Sequence, residues 1–160
     1  MGYSEPHMRG PMLALLVLGT LLAAGCSGSG GNSKDAFADS VVETRNAVDG
    51  ALTHITDNPS GKEELIQRMD EAAQDIDVAA ESLERKSPPE DLQDEQNRLV
   101  KSYRQLSVDL ATTADQLKQP DFQGLLQGTQ GLSFQSWVDV NNTLAQLKRQ
   151  GIDVKPLGRH

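Results

Sequence analysis

The sequence predicts an all-α domain over residues 34–160, arranged as an antiparallel up-down-up-down four-helix bundle behind a cleaved leader and a Gly/Ser tether. Three observations predict it. From Lys34 onward apolar residues recur at spacings of three, four and seven with no sustained alternation, so helices are expected and strands are not. Asn58-Pro59-Ser60-Gly61, Ser87-Pro88-Pro89-Glu90 and Pro120 interrupt these stripes and mark helix ends. The links between stripes are short, which favours antiparallel neighbours. The alternative is a three-helix core with the fourth helix committed to a partner.

Residues 34–57 carry Phe37, Val41, Val48, Leu52 and Ile55 on one stripe, the core face of a first helix. Ser60 followed by Glu63 has the form of a capping box. The segment behind it, to Lys86, lines up Leu65, Ile66, Met69, Ala72, Ala73, Ile76, Ala79, Ala80 and Leu83. Ser87 and Glu90 repeat the device for a third helix, with Pro88 at its first position. That helix places Leu92, Leu99, Leu106 and Thr113 at intervals of seven, with Tyr103, Leu110 and Leu117 on the partner row. Such a seam calls for a neighbouring helix at a shallow angle. Ser133 is placed to cap a fourth helix whose expected inner face is Phe134, Trp137, Val138, Asn141, Leu144 and Leu147, and Gly151 to end it.

Ahead of the helices, residues 11–24 (PMLALLVLGTLLAA) form an uncharged apolar run of 14, preceded by Arg9. The run is too short to cross a hydrocarbon core of about 30 Å comfortably, but it has the length of a signal-peptide core. Translation from Met1 puts Glu5 in the leader's positive region, whereas a start at Met8 does not, and both starts stay open. The run ends in Leu22-Ala23-Ala24-Gly25-Cys26, which resembles the lipobox of bacterial lipoproteins. The resemblance covers about the first 26 residues and implies a diacylglyceryl group (palmitate-type acyl chains) on Cys26, removal of residues 1–25, and attachment to the outer face of a cell membrane. Two or three acyl chains, at about 0.8 kcal/mol per buried CH₂, anchor durably where one does not. Residues 26–33 then read as a flexible tether and residues 34–160 as the helical domain. Within that domain, Pro88-Pro89-Glu90-Asp91-Leu92 and Gly151-Ile152-Asp153 loosely resemble features of helical envelope lipoproteins of actinobacterial type, a resemblance that brings no activity with it.

Composition narrows the function classes. One cysteine excludes an intramolecular disulfide and any multi-cysteine metal site, and three histidines at 7, 54 and 160 leave little for metal or base chemistry. A net charge of -8 argues against nucleic-acid binding through phosphate neutralisation. Residues 34–95 carry 17 acidic and 6 basic side chains, and residues 96–160 carry 5 and 8, so the two halves are expected to attract one another. Asp70, Glu71, Asp75 and Asp77 lie within a helix without the turn that wraps a calcium ion. No phosphate loop, nucleophile elbow or metalloprotease motif is present, so no cofactor, metal or catalytic residue is expected. Two candidate sites remain. The stretch 119–131 (QPDFQGLLQGTQG) sets Phe122, Leu125 and Leu126 among three glycines and reads either as a cap on the bundle or as a docking loop for an envelope protein. Gln96, Tyr103 and Asn141 lie at or beside seam positions, where Gln96 and Asn141 could pair or the three could border a cavity for a small apolar ligand.

Overall fold

The computed structural model describes residues 30–120 and 134–158. All regular structure among them is helical: α1 (Gly30–Thr56), α2 (Lys62–Glu84), a 3-10 turn (Glu90–Leu92) leading into α3 (Gln93–Lys118), and α4 (Gln135–Arg149). Helix α2 packs on both α1 and α3, and α4 packs on α3. Helix α1 begins four residues before the expected start of the helical domain at Lys34, so residues 30–33 have helical backbone.

The apolar stripes become the core. Phe37, Val41, Val48, Leu52 and Ile55 of α1 are buried, with Thr44 and Ala51 on the same face. Helix α2 buries Met69, Ile76 and Leu83 together with Ala72, Ala73, Ala79 and Ala80, small residues that let its neighbours approach closely. In α3 the seam residues Leu92, Leu99, Tyr103, Leu106, Leu110 and Leu117 are all buried, but Thr113 is only half-buried and Ala114 takes its place. A straight helix of 3.6 residues per turn drifts by about 20° per heptad, which moves the seam by one position after three repeats.

The expected caps and the last face require correction. Ser60 does not form a capping box with Glu63. Gly61 flanks α2 with an extended backbone, and the Ser60 N–H donates to Glu64 Oε2 at 2.7 Å while its hydroxyl donates to the same oxygen. Nor does Ser87 cap α3: Pro89 restricts Pro88 to an extended conformation, so the chain turns only after it, through Leu92 N–H donating to the Pro89 carbonyl at 2.9 Å. Helix α4 turns Ser136, Val140, Thr143, Leu144 and Leu147 inward, whereas Val138 is exposed and Phe134, Trp137 and Asn141 are half-buried. The face set against α3 is rotated from the expected one, and the half-buried Asn141 instead meets the chain beyond α4 at Leu157. Ser133 lies outside the described residues.

Gly151 does end α4. Its φ of 90° is left-handed, Gly151 N–H reaches Lys148 O at 3.1 Å, and Ile152 N–H reaches Leu147 O at 3.0 Å, the paired bonds of a Schellman motif. The chain then continues through residues 151–158 as an irregular strap. Ile152, Val154 and Leu157 of this strap are buried in the core, while Asp153, Lys155 and Pro156 face solvent.

The junction between α1 and α2 is locked by charge. Arg68 Nη1 donates to His54 O at 2.9 Å and Asp57 O at 2.7 Å, binding carbonyls at and just beyond the α1 C-terminus, while Nη2 pairs with Glu64. The Ser60 hydroxyl, then the Ser60 N–H, then Arg68 hold the Glu64 carboxyl down at about 2. A carboxylate lowered in the folded state contributes stability that is complete above its unfolded value of roughly 4.3 and lost as pH falls through the folded value. Glu64→Gln is therefore expected to lower the urea midpoint at pH 7, with the difference from the parent shrinking between about pH 4.5 and 2.

The seam makes a second prediction. Leu106→Ala should cost about 2–5 kcal/mol in urea unfolding, whereas Gln105→Ala, on the exposed side of α3, should stay within about 0.5 kcal/mol of the parent.

Candidate functional site

Helix α3 carries two of the three polar seam candidates. Gln96 is buried, and its Nε2 donates to Leu83 O at 2.7 Å and Lys86 O at 2.8 Å, while its Oε1 accepts from Gln93 Nε2 at 3.1 Å. It thus closes the C-terminal end of α2, whose last carbonyls have no partner within the helix. Asn141 on α4 donates from Nδ2 to Trp137 O at 3.2 Å and accepts at Oδ1 from Leu157 N–H at 2.7 Å, which fixes the strap. The expected Gln96–Asn141 pair does not form, because each amide is committed to a different stretch of backbone.

Tyr103 is packed wholly inside, and its hydroxyl has no hydrogen-bond partner. Burial pushes its pKa well above the ordinary phenol range, with Arg45 and Asp49 the charged groups that act on it, in opposite directions. An open groove of about 290 Å³ runs along α3 beside Glu84, lined by Asn97, Val100, Lys101, Arg104, Gln105 and Val108. Neither Gln96, Tyr103 nor Asn141 lines it, so the cavity expected beside those three is not where this groove lies.

Sequence reasoning missed a connected polar cluster on the face of α1 beneath the strap. Arg45 Nε donates to Pro156 O at 3.1 Å and its Nη2 donates to the same carbonyl. Arg45 Nη1 also pairs with Asp49 Oδ2 at 3.3 Å, and Asp49 Oδ1 accepts from Gly158 N–H at 2.7 Å. Lys34 Nζ donates to Gln150 O at 2.7 Å at the head of the strap. The signal was available in the apolar residues Ile152, Val154 and Leu157 set between polar ones around Pro156.

The expected attraction between the halves takes the form of cross-links between α2 and α3. Arg104 grips Glu84 with two bonds, at 3.0 and 2.7 Å, which lower the Glu84 pKa and raise that of Arg104. Lys118 bonds Asp115 at 2.8 Å and Asp70 at 3.2 Å, and both raise its pKa. Between α3 and α4, Ser136 donates to Asp109, and Gln150 Nε2 donates to the buried Glu95 at 3.0 Å. Among the described residues no three acidic, histidine or cysteine side chains converge as a metal site, and no helix is long and apolar enough to cross a membrane. Cys26, Phe122, Leu125 and Leu126 lie outside the described residues.

Two substitutions on α3 should act with opposite sign. Gln96→Leu removes two bonds to carbonyls at the C-terminal end of α2 and leaves the Gln93 amide without its partner at Gln96, and should cost about 1–3 kcal/mol, whereas Tyr103→Phe removes an unpartnered hydroxyl and should leave the urea midpoint unchanged or higher. In comparisons with protein-family models, curated proteins and solved structures, nothing matches this chain.

Proposed function

We propose that the protein is an extracytoplasmic lipoprotein, held on a cell membrane by acyl chains on Cys26, whose helical domain acts by contact with an envelope protein and not by catalysis. The observation that carries this reading is Leu22-Ala23-Ala24-Gly25-Cys26 closing an uncharged apolar run, with Cys26 the one cysteine in the chain. Three residues separate Cys26 from the start of α1, four steps along the chain and a reach of at most about 14 Å, so the anchor would hold the first turn of α1 close to the lipid surface.

The domain is read as an antiparallel up-down-up-down bundle. Pairings along α2 and α3 support it, because Lys118 meets Asp70, Ser107 meets Ala73 at 2.7 Å, and Gln96 meets Leu83, so the sequence runs oppositely in the two helices. Asp109 with Ser136 and Glu95 with Gln150 support the same relation for α3 and α4. The contact reading draws on side chains that close backbone ends and on Phe122, Leu125 and Leu126, apolar residues among glycines in the stretch 119–131.

The test is chemical. In bacteria expressing the full chain, labelled palmitate should enter the protein, and the extracted product should begin at Cys26 with a diacylglyceryl adduct. Cys26→Ala should abolish labelling. A free Cys26 thiol on the membrane-extracted protein overturns the reading.

A further inference from the structure

We propose that the cleft between α1 and α4 is a peptide-recognition groove, occupied here by the chain's own residues 151–158. The ligand it accepts from outside is an extended peptide with apolar residues in the strap's spacing of i, i+2 and i+5.

The argument begins with what the groove reads. Its walls bind the strap through the main chain: Arg45 donates to the carbonyl of Pro156, Asn141 accepts from the N–H of Leu157, and Asp49 accepts from the N–H of Gly158. Arg45 and Asp49 stand one turn apart on α1, about 6 Å along its axis, close to the roughly 6.6 Å spanned by two extended residues. The register of one helix therefore matches the repeat of an extended chain laid along it. Specificity comes from Ile152, Val154 and Leu157, whereas Asp153, Lys155 and Pro156 point to solvent and are free to vary. Backbone bonds for affinity and pockets for a few apolar anchors for selectivity are the pattern by which proteins bind peptides laid along a groove, here with anchors at i, i+2 and i+5.

Two features of the strap fit this reading: it adds no regular secondary structure, and it leaves α4 at Gly151, where a left-handed backbone turns the chain away from the helix.

This inference rests on the contact reading above and not on the lipid anchor, so the two fail separately: loss of acylation leaves peptide binding untouched, and the reverse. The experiment uses the full chain carrying Ile152→Asp and Leu157→Asp, with a fluorescent peptide of sequence GIDVKPLG. The peptide should bind this variant saturably and at least tenfold more tightly than it binds the parent, whose own strap competes at high effective concentration. The same peptide with aspartate at its two anchor positions should not bind, and Arg45→Ala in the variant should weaken binding at least tenfold. A variant that keeps its helical circular dichroism yet binds no peptide overturns the proposal. If the variant unfolds, hydrogen exchange of the parent decides: the Leu157 and Gly158 amides should exchange at least a hundredfold faster than those of Leu106 and Leu110. Exchange of all four at the rate of global unfolding overturns the proposal.

Discussion

The burial of α3 between α2 and α4 is the constraint on which the other helices depend. Leu99, Tyr103, Leu106, Leu110 and Leu117 are fully or almost fully shielded, which one neighbour alone cannot accomplish for a helix of 26 residues. Helix α2 covers one side with its alanines and Met69, Ile76 and Leu83, and α4 covers another with Val140, Leu144 and Leu147. Because α2 has its alanine-rich surface turned to its neighbours, α1 must supply bulk, and it does so with Phe37, Val41, Leu52 and Ile55. Burying a large aliphatic side chain contributes about 1.5–3 kcal/mol, so aliphatic residues rather than aromatic ones hold this fold together.

Polar chemistry is concentrated at the helix ends. The last carbonyls of a helix lack internal partners, and here a side chain from another element answers the C-terminal ends of α1, α2 and α4. Arg68 from α2 serves α1, Gln96 from α3 serves α2, and Lys34 from α1 serves Gln150 just beyond α4. Two of the three donors are cations, whose charge also suits the negative end of a helix. These bonds join elements distant in sequence, 116 residues apart for Lys34 and Gln150, and so fix which end of one helix meets which end of the next. Exposed pairs such as Glu84 with Arg104 add little energy by comparison, and their effect is on register.

The core faces of the first three helices and the stops at Asn58, Pro120 and Gly151 were legible in the sequence, and the caps at the helix starts were not. Stripes such as Phe37, Val41, Val48, Leu52 and Ile55 obey a period that only burial on one face explains, so they transferred to the structure intact. Helix starts depend on single backbone angles that composition does not reveal. An extended Gly61 moved the partner of Ser60 from Glu63 to Glu64, and a second proline moved the start of α3 past Ser87. The inner face of α4 failed for a different reason, since whether Val138 or Val140 turns inward depends on how α4 is set against α3, which the sequence of α4 alone does not fix. Gln96 was found as a polar seam residue but its task was not, because the carbonyls it binds belong to another helix.

Helix α1 links the chain's two proposed attachments. On the proposed anchor, lipid holds its first turn, while Arg45 and Asp49 lie 15 and 19 residues beyond Gly30, about 22 and 28 Å along the helix. Those two residues hold the strap, and through it they tie α1 to α4. The same side of α1 therefore does two jobs: it closes the fold, and it presents a side-chain donor and a side-chain acceptor for main-chain groups more than a headgroup's depth from the point of attachment. A ligand replacing the strap would make the same bonds to Arg45 and Asp49, so α1 would keep its partners while α4 lost its tie to α1. The part of the molecule free to respond to binding is then α4 and the chain that follows it, at the far end of the sequence from the anchor.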